Sequence, residues 1–243
     1  MKKLFVAWQN PEDRSWLPVG RLTLDNNEYK FVYTKGAIKN KKFYPFARMK
    51  KLDGIYESKE LFPLFANRLL SKKRPEYKDF LKWLNLNEDD PINLLARTEG
   101  IRTTDTLMVF PCPEKQTDGT YHIHFFVHGI RYLPDYNIEE INKLQPEDRL
   151  YLMFDIQNQY DFQAIALRTE KMILVGYYPR YLTHDFYSLL RNNDHVDKNV
   201  TVLVERVNQN APIQFRLLCN VTGVWTDDFK PCSSELYEPI TKY

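Results

Sequence analysis

The sequence is short of glycine and cysteine, and both shortages restrict the chemistry that the protein can perform. Only eight of the 243 residues are glycine, and no GxxxxGK[ST], GxGxxG or GxSxG motif occurs. The chain therefore lacks the glycine-rich loops that hold phosphates and the turn that presents a catalytic serine. The three cysteines, Cys112, Cys219 and Cys232, are too widely spaced for a CxxC pair or a disulfide framework. We expect reduced thiols, no cofactor and no enzymatic activity, and a nuclease or other DNA-processing enzyme stays open as an alternative without a catalytic motif to support it.

Long apolar runs are absent as well. No run of about 18 apolar residues occurs, so no transmembrane helix is predicted. The apolar stretch that follows Lys3 ends at the polar Gln9 and is too short for a signal peptide. These observations predict a cytoplasmic protein that does not bind a membrane.

Three histidines on one predicted strand do not indicate a metal site. His122, His124 and His128 share a parity, so their side chains would point to one side of the strand. However, the extended chain between the outer two spans about 20 Å, which is too far for one ion to bind both. We expect no metal ion.

Charge is distributed unevenly along the chain, although the formal net charge is only +2. Residues 1–120 hold 22 Lys and Arg against 16 Asp and Glu, whereas residues 121–243 hold 12 against 16. If DNA is the partner, the first half supplies the non-specific attraction to phosphates. The acidic second half must then bind through local contacts.

A polar stretch that contains two prolines, at residues 111–120, divides the chain. We predict one domain over residues 1–113, a linker over 114–120 and a second domain over 121–243. The first has short β-rich segments at 4–8, 20–24, 29–33 and 106–110, and helical spacing between 58 and 96. The second has predicted strands at 122–129, 150–154, 164–168, 173–176, 200–207 and 215–221, with one helix over 183–191. This pattern predicts an α+β protein whose second domain is a small OB-like or SH3-like β-barrel with one helix.

Three segments of the second domain together resemble the HIRAN domain, in the order and approximate spacing of that family. They are Gly129-Ile130-Arg131-Tyr132, Asn158-Gln159-Tyr160-Asp161-Phe162-Gln163-Ala164-Ile165 and Val175-Gly176-Tyr177-Tyr178-Pro179-Arg180. The resemblance implies an OB-like barrel that binds single-stranded DNA and captures its 3′ end. The sequence departs from the family at Gln163, where Asn is usual, and at Phe154-Asp155, where Arg-Glu is common. Loss of that arginine predicts weaker phosphate binding.

The first domain resembles the amino-terminal subdomain of HipA-type toxin kinases. The resemblance is carried by residues 19–22, 61–70, 94–100, 104–105 and 109–111. That subdomain is non-catalytic and normally precedes a kinase core, which is absent from this sequence. The resemblance therefore implies no phosphoryl transfer.

A binding site for a DNA 3′ end needs rings that stack on bases and arginines that hold phosphates. Tyr132 and Tyr160 are the predicted stacking residues, and Arg131 and Arg180 the predicted phosphate donors. Either tyrosine of the pair at 177–178, Tyr177 or Tyr178, could extend the platform. Each ring could instead belong to the barrel, with its hydroxyl bonded to the backbone.

The terminal 3′-hydroxyl needs an acceptor, and Asp161 is the predicted one. Its negative charge would repel a continuing phosphate and so select for an end. The alternative is that Asp161 is a turn residue that accepts a hydrogen bond from its own backbone.

A second predicted nucleic-acid surface lies between Lys35 and Lys51, where seven basic residues occur without an acidic one. Three aromatic residues, Phe43, Tyr44 and Phe46, lie among them, a mixture that suits backbone tracking with base stacking. The predicted contacts are Lys41, Lys42, Arg48, Lys50 and Lys51. The alternative is a solvated loop whose aromatic residues belong to the core.

The sequence therefore supports two hypotheses. In the first, the protein binds single-stranded DNA without catalysis, preferentially at 3′-hydroxyl ends, and the first domain adds phosphate contacts or docks a partner. In the second, it is a regulatory subunit or antitoxin-like partner of a separately encoded HipA-type kinase. Bacterial phage defence, toxin control and repair all stay open as settings, as does the choice between DNA and RNA.

Overall fold

The computed structural model describes residues 2–87, 89–102, 104–191 and 200–241. The chain divides into two compact units. The first contains Met1–Tyr77, Glu88–Cys112 and Cys232–Tyr243, and the second contains Lys78–Asn87 and Pro113–Pro231. This division differs from the predicted boundaries in three segments. Residues 78–87 join the second unit, residues 232–243 join the first, and residues 113–120, which include the predicted linker, belong to the second unit.

The first unit is built on a five-stranded antiparallel sheet with the order β4-β3-β2-β1-β5. Its strands are β1 (Lys2–Gln9), β2 (Trp16–Asp25), β3 (Glu28–Tyr33), β4 (Ile55–Ser58) and β5 (Leu107–Pro111). Asn26 and Asn27 join β2 to β3 with positive φ angles of 47° and 62°. Two successive left-handed residues form the tight turn that suits the twist of a hairpin.

Three short helices belong to this unit: α1 (Gly36–Lys39), α2 (Pro63–Ala66) and α4 (Pro91–Thr98). A further helix, α3 (Tyr77–Trp83), has only its first residue in this unit. Asp90 caps α4, because its Oδ1 accepts a hydrogen bond from the Ile92 amide at 2.9 Å, and Pro91 occupies the first turn, where its missing amide hydrogen costs no helical hydrogen bond. The core of the first unit is strongly aromatic: Phe31 lies 5.0 Å from Tyr33 and 5.8 Å from Phe65 between ring centroids.

The C-terminal segment is part of this first unit. The ring of Tyr237 packs edge-on against Phe5, with centroids 4.8 Å apart. The Ile240 amide donates to the Tyr33 carbonyl at 3.0 Å, and the Lys35 amide donates to the Glu238 carbonyl at 2.8 Å. The segment is therefore fixed to the unit by both ring packing and backbone hydrogen bonds.

The second unit is a curled six-stranded sheet with the order β6-β11-β10-β7-β8-β9. Its strands are β6 (Thr120–Phe126), β7 (Arg149–Phe154), β8 (Ile165–Arg168), β9 (Leu174–Tyr177), β10 (Val200–Val207) and β11 (Leu217–Val224). Two backbone hydrogen bonds between His128 and Tyr177, of 2.9 and 2.8 Å, link the two edges of the sheet. This pairing closes the sheet into a small barrel.

Gly176 permits that closure. A Cβ atom at this position would lie 2.5 Å from the His128 carbonyl oxygen, and the φ angle of 135° is one that side chains rarely allow. The absence of a side chain thus lets the backbones of residues 128 and 176 approach each other.

Two helices belong wholly to the second unit, α5 (Asp135–Ile141) and α6 (Arg180–Arg191). The sequence predicted only α6, and it begins three residues earlier than expected. The mixed α+β class and the barrel agree with the prediction, whereas the single-helix count was too low.

Residues 78–87 contribute to the second unit through the end of α3 and the turn that follows it. Phe80 packs edge-on against Phe215 at 5.9 Å, and Leu84 is fully buried. The side-chain amide of Asn208 donates to the Trp83 carbonyl at 3.0 Å, and the amide of Asn85 donates to Glu205 at 2.6 Å. These contacts explain why a segment from the predicted first domain joins the barrel.

Candidate nucleic-acid interface

The turn that follows β6 presents the first pair of predicted contacts. Gly129 adopts a φ angle of 77° and leads into a 3-10 turn, in which Ile130 is buried. Tyr132 is 74% exposed. The guanidinium of Arg131 lies over the Tyr132 ring, 4.7 Å from its centroid, and donates to its hydroxyl at 2.5 Å. The two predicted contacts therefore form one exposed unit, a cation held on an aromatic face.

The loop between β7 and β8 is shaped by short polar side chains. Oδ1 of Asn158 accepts hydrogen bonds from the amides of Tyr160 and Asp161, at 3.0 and 3.1 Å. Oδ1 of Asp161 accepts one from the Gln163 amide at 3.0 Å. Side chains that bond the backbone two or three residues ahead fix a loop without a regular strand. The ring of Tyr160 projects from this loop and is 78% exposed.

Arg180, at the start of α6, fastens the same loop. Its Nε lies 2.8 Å from Oδ2 of Asp161, and its Nη2 donates to the Tyr160 carbonyl at 2.8 Å. Asp161 is thus both the turn residue of the alternative interpretation and the ion-pair partner of Arg180. Two of the three guanidinium nitrogens of Arg180 are used within the loop, so the residue orients Tyr160 and Asp161 before any ligand binds.

Tyr177 links the turn to the loop. A Cβ atom on Gly129 would lie 2.9 Å from Cδ2 of Tyr177, so the ring lies directly against the start of the turn. The Tyr177 hydroxyl donates to Oδ2 of Asp155 at 3.0 Å, and the Asn158 side chain donates to the same oxygen at 2.9 Å. Partial burial raises the pKa of Tyr177, and the bond to Asp155 raises it further. The half-buried ring of Tyr177 therefore contacts the turn at Gly129, and its hydroxyl holds the loop through Asp155.

Tyr178 is a correction to the predicted site. Its side chain is buried in the barrel core, where its ring packs edge-on against Phe125 at 5.0 Å. Burial raises the pKa of its phenol well above the ordinary value. Residues 177 and 178 are neighbours on extended chain and point in opposite directions. Tyr178 thus packs in the core and cannot extend a stacking platform.

Several exposed apolar side chains of the second unit, on or next to this loop and on α5, were not predicted. Phe162 and Ile156 are each 76% exposed, Phe154 is 45% exposed, and Tyr136 on α5 is 60% exposed. Phe162 lies between Asp161 and Gln163, where the turn residues interrupt the strand pattern that would bury it. The position of an aromatic residue inside such a turn was the one feature of the sequence that could have indicated its exposure.

The basic residues of the first unit are partly engaged. Lys42 forms an ion pair with Glu12, whereas Lys41, Arg48, Lys50 and Lys51 are exposed. Phe43 is buried, as the alternative interpretation expected, and Phe46 packs 5.6 Å from Tyr33 between ring centroids. Tyr44 is 80% exposed. The aromatic residues of this loop are thus divided between the core and the surface.

Histidines form no metal site in the part of the chain that the structure describes, where no group of three or more metal-binding side chains is found. His122 bonds with Thr120 and Thr222, and His124 pairs with Glu205 at 2.5 Å. Within the described ranges, no helix has the length and apolar character needed to cross a membrane.

The second unit is thus a small β-barrel whose connecting segments present exposed tyrosines beside arginines. Comparison with known families identifies the module: residues 120–224 match the HIRAN domain, which confirms the predicted HIRAN domain in this half of the chain. The match does not extend into residues 1–113, so the HipA-type resemblance there stays a prediction.

Two solved structures are similar to the chain. A protein from Lactobacillus plantarum is 21% identical, with 43% of this chain and 97% of that chain covered and a TM-score of 0.33. The HIRAN domain of human HLTF is 18% identical, with 50% of this chain and 93% of that chain covered and a TM-score of 0.35. No curated protein matches the chain.

Proposed function

We propose that this protein binds single-stranded DNA without catalysis, through its HIRAN domain, and that it prefers a free 3′-hydroxyl end. The observation that carries the proposal is the exposure of Tyr132 and Tyr160 on two segments that Tyr177 connects. An exposed ring on a fixed loop offers a base a flat surface, and each such contact contributes about 1–3 kcal/mol. Both rings lie beside an arginine that can reach a phosphate.

The choice of ligand follows from charge as well as shape. Because residues 121–243 hold more acidic than basic residues, bulk attraction to DNA does not come from this half. Arg131 instead supplies localised positive charge next to the Tyr132 ring, and Arg180, whose charge is paired with Asp161, offers its third guanidinium nitrogen to a phosphate beside Tyr160. The exposed basic residues of the first unit add non-specific phosphate contacts.

End selection is assigned to Asp161. Its carboxylate is held in place by Arg180 and by the Gln163 amide, and the side chain keeps 18% of its surface exposed. A carboxylate can accept a hydrogen bond from a terminal 3′-hydroxyl, whereas a 3′-phosphate at the same place brings two negative groups together. The ion pair with Arg180 fixes the direction of the carboxylate.

The test measures fluorescence anisotropy of two oligodeoxynucleotides of one sequence, one ending in a 3′-hydroxyl and one in a 3′-phosphate. We expect the wild-type protein to bind the first more tightly. Asp161→Asn keeps the acceptor for the Gln163 amide but loses the negative charge. The ratio of the affinities for the 3′-hydroxyl and 3′-phosphate oligonucleotides should therefore fall by about tenfold, as for the loss of a hydrogen bond to a charged group.

Asp135→Asn is the matched control, because it removes the same charge from an exposed position on α5 of the same unit. It should leave the ratio of the two affinities unchanged. Tyr160→Ala should weaken binding of both oligonucleotides. Equal affinity of the wild-type protein for both ends would refute end selection, and no binding of either oligonucleotide would refute the proposed function.

A further inference from the structure

A groove in the first unit is lined mainly by apolar and aromatic side chains, with an arginine, a glutamate and an asparagine among them. It encloses about 560 Å³ between the edge strand β4, helix α2 and the loop that contains Phe46. Ligand pockets usually have volumes of several hundred Å³ and mostly apolar linings with a few polar groups. Three rings line the groove, those of Phe46, Tyr56 and Phe62.

The polar groups of the groove are at its rim. Arg48 and Asn67 line it and are exposed, and neither side chain has a partner among the described residues. The third polar residue, Glu57, is paired with Lys30 at 2.7 Å. The rim thus offers one guanidinium fork and one side-chain amide to a ligand.

Charge around the groove favours an anionic ligand. Lys50 and Lys51 follow Arg48 and Met49 in the chain and are exposed, and neither forms a salt bridge in the described part of the protein. A ligand that combines a flat apolar group with repeated negative charge matches these features. Single-stranded nucleic acid has this combination at every nucleotide.

We propose that this groove binds one unstacked base of single-stranded nucleic acid, with the adjoining phosphate on Arg48 and the base edge at Asn67. The site lies in the first unit and requires no 3′ end. Binding at this groove does not require that the HIRAN domain binds DNA. An acidic peptide with aromatic side chains shares part of this chemistry, but the density of positive charge along the basic loop favours the closely spaced phosphates of nucleic acid.

The test uses the full chain with both Tyr132→Ala and Tyr160→Ala, which remove two exposed rings of the barrel. This double variant is the parent protein for the further substitutions. Two probes carry equal charge: a thymidine dodecamer with a 3′-phosphate and an abasic dodecamer with the same backbone. We expect this protein to bind the thymidine dodecamer about fivefold or more above the abasic one, as one stacked base predicts. Phe62→Ala should abolish the preference, and Arg48→Gln should weaken binding of both probes.

Two controls keep the outcome decisive. Lys39→Gln removes one exposed charge at the end of α1, just before the loop and outside the groove, so it should weaken binding of both probes slightly and leave the preference intact. Asn67→Ala changes an exposed side chain without a packing role and should lower the preference even if Phe62→Ala perturbs folding.

Equal affinity for the two probes in the parent protein would overturn the proposal. Binding of a fluorescent Glu- and Phe-containing peptide that depends on Phe62 and Arg48, without any base preference, would assign the groove to a protein ligand and overturn it as well. Failure of the HIRAN domain to bind DNA would appear separately. In that case the wild-type protein and the variant with Tyr132→Ala and Tyr160→Ala would bind the thymidine dodecamer with equal affinity.

Discussion

Arg180 and Asp161 form a clamp between the start of α6 and the loop that joins β7 to β8: Nε of the arginine lies 2.8 Å from Oδ2 of the aspartate. The same guanidinium also donates to the Tyr160 carbonyl. The two residues occur in different predicted segments of the domain, and the ion pair joins them before any ligand is bound. The clamp therefore makes the position of Tyr160 depend on the geometry of Arg180.

Replacing Arg180 with lysine tests this dependence. Lysine keeps the charge but cannot reach both Asp161 and the Tyr160 carbonyl with fixed planar geometry. We expect affinity for single-stranded DNA to fall about tenfold, while the free energy of unfolding changes by less than about 1 kcal/mol, because the pair is partly exposed. Anisotropy and urea denaturation measure the two quantities.

Arg102→Lys serves as the control for the clamp, since Arg102 is an exposed arginine of the first unit. It should change neither quantity. Unaltered DNA affinity in Arg180→Lys would show that the loop keeps its conformation without the clamp.

Much of the second unit could be predicted from the sequence because its strands are short and bounded by turn residues. The segments that form β7, β8 and β9 were each predicted to within two residues. Tyr178 was misplaced because two adjacent tyrosines satisfy the same motif, and only the phase of the strand decides which ring is buried. The sequence alone does not fix that phase.

Long-range packing was the other limit. Phe80 and Leu84 show clear helical spacing, but nothing local reveals that their segment packs into the second unit, where Phe80 contacts Phe215 and Leu84 is buried. The tail around Tyr237 presents the same difficulty, because its partners lie near the start of the chain. Within the interface, Phe162 was missed because an exposed aromatic residue in a turn resembles an ordinary loop residue until its surroundings are known.

Leu84→Ala should destabilise the second unit, although the residue lies in the predicted first domain. The side chain is fully buried, and removing such a leucine costs about 2–5 kcal/mol. Urea denaturation followed by tryptophan fluorescence measures the change. Lys78→Ala, at an exposed position of the same segment, should alter stability by less than about 0.5 kcal/mol. A fragment of residues 113–231 as stable as the barrel in the full chain would contradict this role.

Buried tyrosines predict a loss of stability at alkaline pH. Burial raises the pKa of Tyr121 and of Tyr178 in the barrel above the ordinary value of 10.0. Their phenols stay protonated in the folded state while those of the unfolded chain ionise. The contribution of these two phenols to the free energy of unfolding is therefore complete below pH 10. It is lost as pH rises through the folded-state pKa values, at up to about 1.4 kcal/mol per pH unit for each tyrosine.

Urea midpoints measured between about pH 8 and pH 11 check this expectation. The midpoint should be nearly constant at first and then fall steeply. Tyr121→Phe removes one of the ionising groups and should reduce the slope above pH 10. An identical slope in the wild-type protein and the variant would show that Tyr121 does not contribute to it.

Gly129 and Gly119 provide a matched pair that separates backbone strain from contact with the interface. Both have positive φ angles, of 77° and 80°. A Cβ atom at Gly119 meets nothing within 4 Å, whereas at Gly129 it would lie 2.9 Å from the Tyr177 ring. Each Gly→Ala substitution should cost about 1–2 kcal/mol of stability from the left-handed backbone.

Only Gly129→Ala should also displace the Tyr177 ring, which holds Asp155 and through it the loop that presents Tyr160. We therefore expect single-stranded DNA affinity to fall severalfold in Gly129→Ala and to stay at the wild-type level in Gly119→Ala, although both variants lose similar backbone stability. Parallel anisotropy titrations and thermal denaturation of the two variants distinguish the effects. Equal DNA affinity in both would mean that Tyr177 does not transmit the position of the turn to the loop.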